Sequence, residues 1–306
     1  MRSLILAATM IAVAVGASST SAAPAPKPKD AKVLVQTYME RLRKAEGVDS
    51  RVFNDGEPGE VITELKYFLK RGKPEEQRHA IMLIGLVAKR STDRDARRGA
   101  VETLLDYSLK TPEPSHNSMA LAALRDFARA DFSDAARTDI EKYVTADSPS
   151  PYGLWLAGQA GMENMKKELQ KIAGKDPGRG HFLMEPYWTA NLALARLGDA
   201  EGGKRLVDKV ESETDIVQRV RGFGDLARTH HDVAVKYLIK AVMSEDELPP
   251  VKAGTAGTKV ASYACDALAR SVESFPLKAN GPSYSNAEIE SARKWLKEQK
   301  TLKFKP

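Results

Sequence analysis

Cysteine is all but missing from this chain: Cys265 is the only one in 306 residues. No intrachain disulfide can form, so the fold has to stand on packing in whatever compartment receives it. Cys265 lies in KVASYACDALARSV, where Ala261, Ala264, Leu268 and Ala269 share its helical face. That apolar setting predicts a small buried residue and not a nucleophile. Sustained period-two alternation of β-branched residues is also absent, which excludes strands as the organising element. After residue 17 no apolar run approaches the roughly 20 residues that a membrane-crossing helix needs. The motifs that announce chemistry are missing as well: there is no GxSxG elbow, HExxH, CxxC or phosphate-binding loop. The acidic loop at 54–60 fails the calcium-loop pattern, because Arg51 and Phe53 fall where carboxylates belong. His181 and Glu185 are four apart but have no third ligand adjacent in sequence, so neither a metal nor another cofactor is expected. Lys and Arg number 47 against 41 Asp and Glu, too even a balance for a nucleic-acid footprint. Most charge must lie on mixed, solvated helix faces.

What is present begins with a processing signal. The N-terminus, MRSLILAATMIAVAVGASSTSAAPAP, has one cation at Arg2, an apolar run from Leu4 to Ala17 and then small residues ending at Ala22. This is the pattern of a secretory signal peptide over 1–22, and it predicts a soluble mature chain starting near Ala23 that is periplasmic or secreted. A Pro-rich spacer at 23–30 should stay extended. The folded part is expected over 31–306.

From there the chain reads as helices in pairs. Val61, Ile62, Leu65, Phe68 and Leu69 make a strong apolar stripe, and with Val33, Leu34, Tyr38, Met39 and Leu42 before it they predict an N-terminal hairpin. From residue 74 the pairs become regular. The clearest is Trp188 to Glu211, WTANLALARLGDAEGGKRLVDKVE, with Gly198 suited to the turn and Asp199 to the cap of the second helix. A recurring register marks the end of each first helix: Val87-Ala88-Lys89, Phe127-Ala128-Arg129, Gln159-Ala160-Gly161, Leu194-Ala195-Arg196, Leu226-Ala227-Arg228 and Leu268-Ala269-Arg270. The alanine lets paired helices approach, and the cation after it suits the helix dipole. At the turn between the last regular helices, Asp232 is expected to cap, with His230 and His231 suiting the preceding helix end. A helix pair repeated every 32 to 42 residues cannot bury its apolar face alone and implies a stacked array. The fold class predicted is all-α, a right-handed α-solenoid of about seven antiparallel helix pairs.

The phrase ALARLGDAEG at 193–202, followed by a short second helix, resembles HEAT repeats, particularly the short HEAT-like repeats of bacterial proteins and bilin-lyase relatives. The resemblance runs over roughly 74–298 and is strongest at 188–211 and 223–240. It implies a stack of antiparallel helix pairs with a concave surface that binds other macromolecules, and it transfers no catalytic residues.

Aromatic residues are scarce, at 7%, so a local concentration of them stands out. Tyr152 and Trp155 lie in one first helix and Tyr187 and Trp188 in the next, with Arg179 and His181 in the loop between. Core packing accounts for such rings by default. Because Trp, Tyr and Arg concentrate binding energy, these six residues are also the candidate partner-binding patch. The longer loops at 174–184, 245–256 and 274–284 are candidates for the binding edge. The functional expectation is a non-catalytic scaffold in the cell envelope that holds a protein partner, with an anionic glycan or envelope surface as a second kind of partner. The alternative is an α/α-toroid enzyme in which Tyr187, His181 and Arg179 act on an anionic polysaccharide. A chaperone for a bilin-like cofactor is disfavoured, since no exposed cysteine is expected.

Overall fold

The computed structural model describes residues 29–175, 185–250 and 257–305. The signal pattern and most of the spacer lie outside the described residues. Lys29 and Asp30, assigned to the spacer by sequence, belong to the fold. Lys29 donates its backbone N–H to Asp55 at 2.7 Å, and the Asp30 carboxylate caps the first helix.

Among the described residues there are fifteen α-helices and no strand beyond three isolated bridges. Their starts follow from local sequence. Five open on proline, whose missing N–H costs nothing in a first turn: α2 (Pro58–Arg71), α3 (Pro74–Arg90), α5 (Pro114–Ala123), α7 (Pro151–Gln159) and α9 (Pro186–Arg196). Six open under an Asp or Ser side chain that accepts a first-turn N–H. These are α1 (Ala31–Arg43), α4 (Arg94–Lys110), α6 (Asp134–Val144), α10 (Ala200–Ser212), α11 (Ile216–Arg221) and α15 (Asn286–Glu298). The remaining four are α8 (Lys166–Ala173), α12 (Phe223–Thr229), α13 (Asp232–Val242) and α14 (Val260–Ser271).

Gly198 takes the left-handed turn conformation (φ 75°) and Asp199 accepts from Gly202 N–H, as the sequence of that pair requires. Two boundaries differ from expectation. The helix expected to end at Phe127-Ala128-Arg129 stops at Ala123, and beyond it Asp131 accepts from Ala128 N–H at 3.1 Å and from Arg97 at 2.9 Å. Phe127, Ala128 and Arg129 therefore lie past a helix end. His231, not Asp232, caps α13: its ring nitrogen accepts from Val233 N–H at 3.3 Å.

The helices pack as two files. α3, α5, α7, α9, α12 and α14 touch in that order, while α2, α4 and α6, and separately α10, α13 and α15, line up beside them. Each member of the first file also packs on at least one sequence neighbour in the second, and the apolar residues from Ala31 to Leu296 form one continuous core. The first file is bent. Arg125, just past α5, donates to Asp225 of α12 at 3.0 Å although α7 and α9 stand between them. Three steps at the usual helix spacing would separate them by roughly 25–30 Å in a straight file, beyond side-chain reach. This side of the file is therefore its inside.

Candidate functional site

The centre of the first file is α7 and α9, and glycine sets how closely they meet. A Cβ on Gly158 would stand 2.5 Å from Ala193 Cα, so the two backbones are nearly in contact. With that approach, every residue from Gly153 to Gln159 and from Tyr187 to Ala195 is buried. The candidate aromatic patch is drawn inside by the same packing. Trp155 is 2% exposed and Trp188 is 0% exposed, Tyr187 is buried, and Tyr152 is partly buried against the core. The expectation that these rings form an open binding surface is corrected here: the two indoles are core. Tyr187 reaches only the wall of a groove of about 620 Å³ with Glu168, Lys171 and Lys175. Arg179 and His181 lie outside the described residues, so the Tyr187, His181 and Arg179 constellation is not assembled among them.

What covers the tryptophans is charge. The Arg125 guanidinium lies 4.8 Å from the centre of the Trp155 ring and that of Arg196 lies 5.9 Å from it. Arg125 donates to one Asp225 oxygen at 3.0 Å, and Trp188 Nε1–H donates to the other at 3.1 Å. Lys89 donates to Asp126 at 2.8 Å. Arg228 comes between the two acids, 3.7 Å from Asp225 and 3.9 Å from Asp126. Arg196 donates to the Arg228 carbonyl. The result joins residues from α3, α9, α12 and the turn after α5 on the inner side.

The electrostatics follow from burial and neighbours. Burial alone would raise the Asp126 pKa, but Lys89 first, and then Arg228 and Arg125, hold it below its ordinary value. Burial, with Arg228 beside it, brings Arg196 down from 12.5 to about 10. Burial, with Arg196 nearby, brings His230 down to about 4. A cation at a helix end is usually explained by the dipole alone, but these register cations do more. Arg129 donates to the Gly161 carbonyl at 3.1 Å, and Arg270 pairs with Asp266 at 2.9 Å. Together with Lys89 and Arg196, they tie one pair to the next or to their own helix.

Sequence reasoning missed Arg125, Asp126 and Asp225. A signal was present: Asp126-Phe-Ala-Arg129 and Asp225-Leu-Ala-Arg228 repeat an acid two places before the alanine, and Asp266 stands three before Ala269. Cys265 is fully buried, and burial pushes its thiol up to about 12, so it is not a nucleophile here. His79 and His116 bond Tyr38 and Tyr107 at 3.0 and 3.1 Å. Tyr107 and His116 line a second open groove of about 1030 Å³ between α2, α3, α4 and α5. Lys66, Lys70 and Lys110 alternate there with Glu102 and Asp106. Of the longer loops, 274–284 is pinned to α14, with Gly281 N–H donating to Asp266 at 2.9 Å. Residues 176–184 and 251–256 of the other two lie outside the described residues. Among the described residues, no group of three or more His, Cys, Asp and Glu side chains could hold a metal ion.

No protein-family model matches the chain, and no curated protein is significantly similar to it.

Proposed function

We propose that the chain is an exported, HEAT-like right-handed α-solenoid that holds a protein partner on its curved inner side and performs no reaction of its own. The observation that carries this reading is the bent file of helices repeated in the same order, with a charged surface gathered on its inside. Repetition of that kind yields an extended surface and not a closed catalytic pocket. The export step rests on the N-terminal sequence pattern. Among the described residues no helix is long and apolar enough to cross a membrane.

Affinity capture from a cell-envelope extract with the mature chain tests the reading. The control is a Lys89→Glu/Arg228→Glu double variant shown to be folded by circular dichroism. One protein retained in near-stoichiometric amount by the parent chain and released by the double reversal is the expected outcome. Retention of nothing specific, or equal retention by both chains, contradicts it.

A further inference from the structure

The charged inner surface has more hydrogen-bond donors than acceptors. Four cations, Lys89, Arg125, Arg196 and Arg228, meet two carboxylates, Asp126 and Asp225. Lys89 and Arg125 are matched at hydrogen-bond distance. Arg228 is not: its nearest carboxylate oxygens stand at 3.7 and 3.9 Å, past the range of a hydrogen bond. Arg196 donates to the Arg228 carbonyl and has no carboxylate partner among the described residues, although it is partly buried and lies beside a second guanidinium. Trp155 Nε1–H, on the ring covered by Arg125 and Arg196, is buried without an acceptor among the described residues. A cation withdrawn from water without a counter-charge is costly, and a buried donor left unmade adds to that cost. Arg228 and Trp155 Nε1–H thus lack an acceptor among the described residues, and Arg196 beside them lacks a counter-charge.

We infer that Arg196, over the Trp155 ring, and Arg228 beside it form a binding site for an oxyanion, either a carboxylate or a phosphate group. Two guanidinium forks on adjacent helices suit the paired oxygens of such a group. Entry is open, since the Arg228 side chain is 36% exposed and that of Asp126 is 53% exposed. Asp225 and Asp126 set the rim. Each already engages a cation, so an incoming anion takes the remaining charge and does not have to displace an existing pair. The inference goes beyond the scaffold reading and needs no protein partner.

The test titrates the purified mature chain with inorganic phosphate and, separately, with succinate, against sodium chloride at matched ionic strength. Thermal midpoint and tryptophan emission are both followed. A saturable response to at least one oxyanion beyond that of chloride is expected. Phosphate alone identifies a phosphate site, succinate alone a carboxylate site, and both together a site for either group. Arg228→Gln should weaken binding about tenfold or more, the loss of one charge-assisted hydrogen bond. Arg270→Gln, in the same register but paired with Asp266, should leave it unchanged. Should Arg228→Gln fail to fold, Arg228→Lys takes its place and is expected to weaken binding several-fold, because a point charge replaces the fork. The absence of a saturable response beyond chloride, or unchanged affinity in the Arg228 variant, overturns the site.

Discussion

His230 stands at a left-handed corner (φ 55°) between α12 and α13, its ring stacked on Phe304 at 4.7 Å with the planes 11° apart. The sequence suggested a cation favoured by the end of the preceding helix. The structure reverses that, because burial and the nearby Arg196 hold His230 neutral down to about pH 4. As pH falls from about 6.5, the unfolded chain takes up a proton that the folded chain refuses until about 4. Stability from this residue is complete above about 6.5 and is lost as pH falls through that window. His230→Asn keeps a side chain that tolerates the left-handed corner. Its unfolding free energy should fall less than that of the parent chain between pH 6.5 and 4, as measured by denaturant titration at each pH. Parallel curves would show that His230 titrates alike in both states. At this scale the sequence misled most where charge was concerned. Periodicity tells which face a residue occupies, but not that Arg125 would find Asp225 from 100 positions away.

Helix starts were the most legible feature of the elements, since proline and Asp or Ser caps act within a few residues. Helix ends were less so: α5 stops at Ala123, short of the Phe127-Ala128-Arg129 register, and the chain beyond it is held by the distant contact of Asp131 with Arg97. The burial of Trp155 and Trp188 could not be decided from the pattern, because core and interface favour the same residue types. It is decided by the spacing of α7 and α9. Gly158→Ala would bring a Cβ within 2.5 Å of the Ala193 backbone, which cannot swing aside as a side chain could. The helix-propensity gain of up to about 1 kcal/mol should be outweighed by overpacking, for a net loss of about 1–2 kcal/mol. Gly99→Ala, in α4 with nothing within 4 Å of the new methyl, should instead be neutral or add up to about 1 kcal/mol. Equal effects at the two sites in thermal or denaturant unfolding would show that the α7–α9 approach does not control stability.

For the whole molecule, the all-helical class was legible because one apolar rhythm recurs through the chain, from Leu83 to Leu268, without a competing strand pattern. The bend of the first file was not, since it depends on how much each pair rotates on the last, a quantity that no local spacing encodes. An array and a closed toroid share the same helices and differ in shape, and that difference bears on whether the inner face is an open binding surface or an enclosed pocket. Small-angle X-ray scattering of the mature chain measures it directly. For an array, the radius of gyration lies clearly above the roughly 19 Å of a globule of this length, with pair distances skewed to long values. A radius near 19 Å with a single symmetric distance peak would contradict the array and favour a closed arrangement of the same helices.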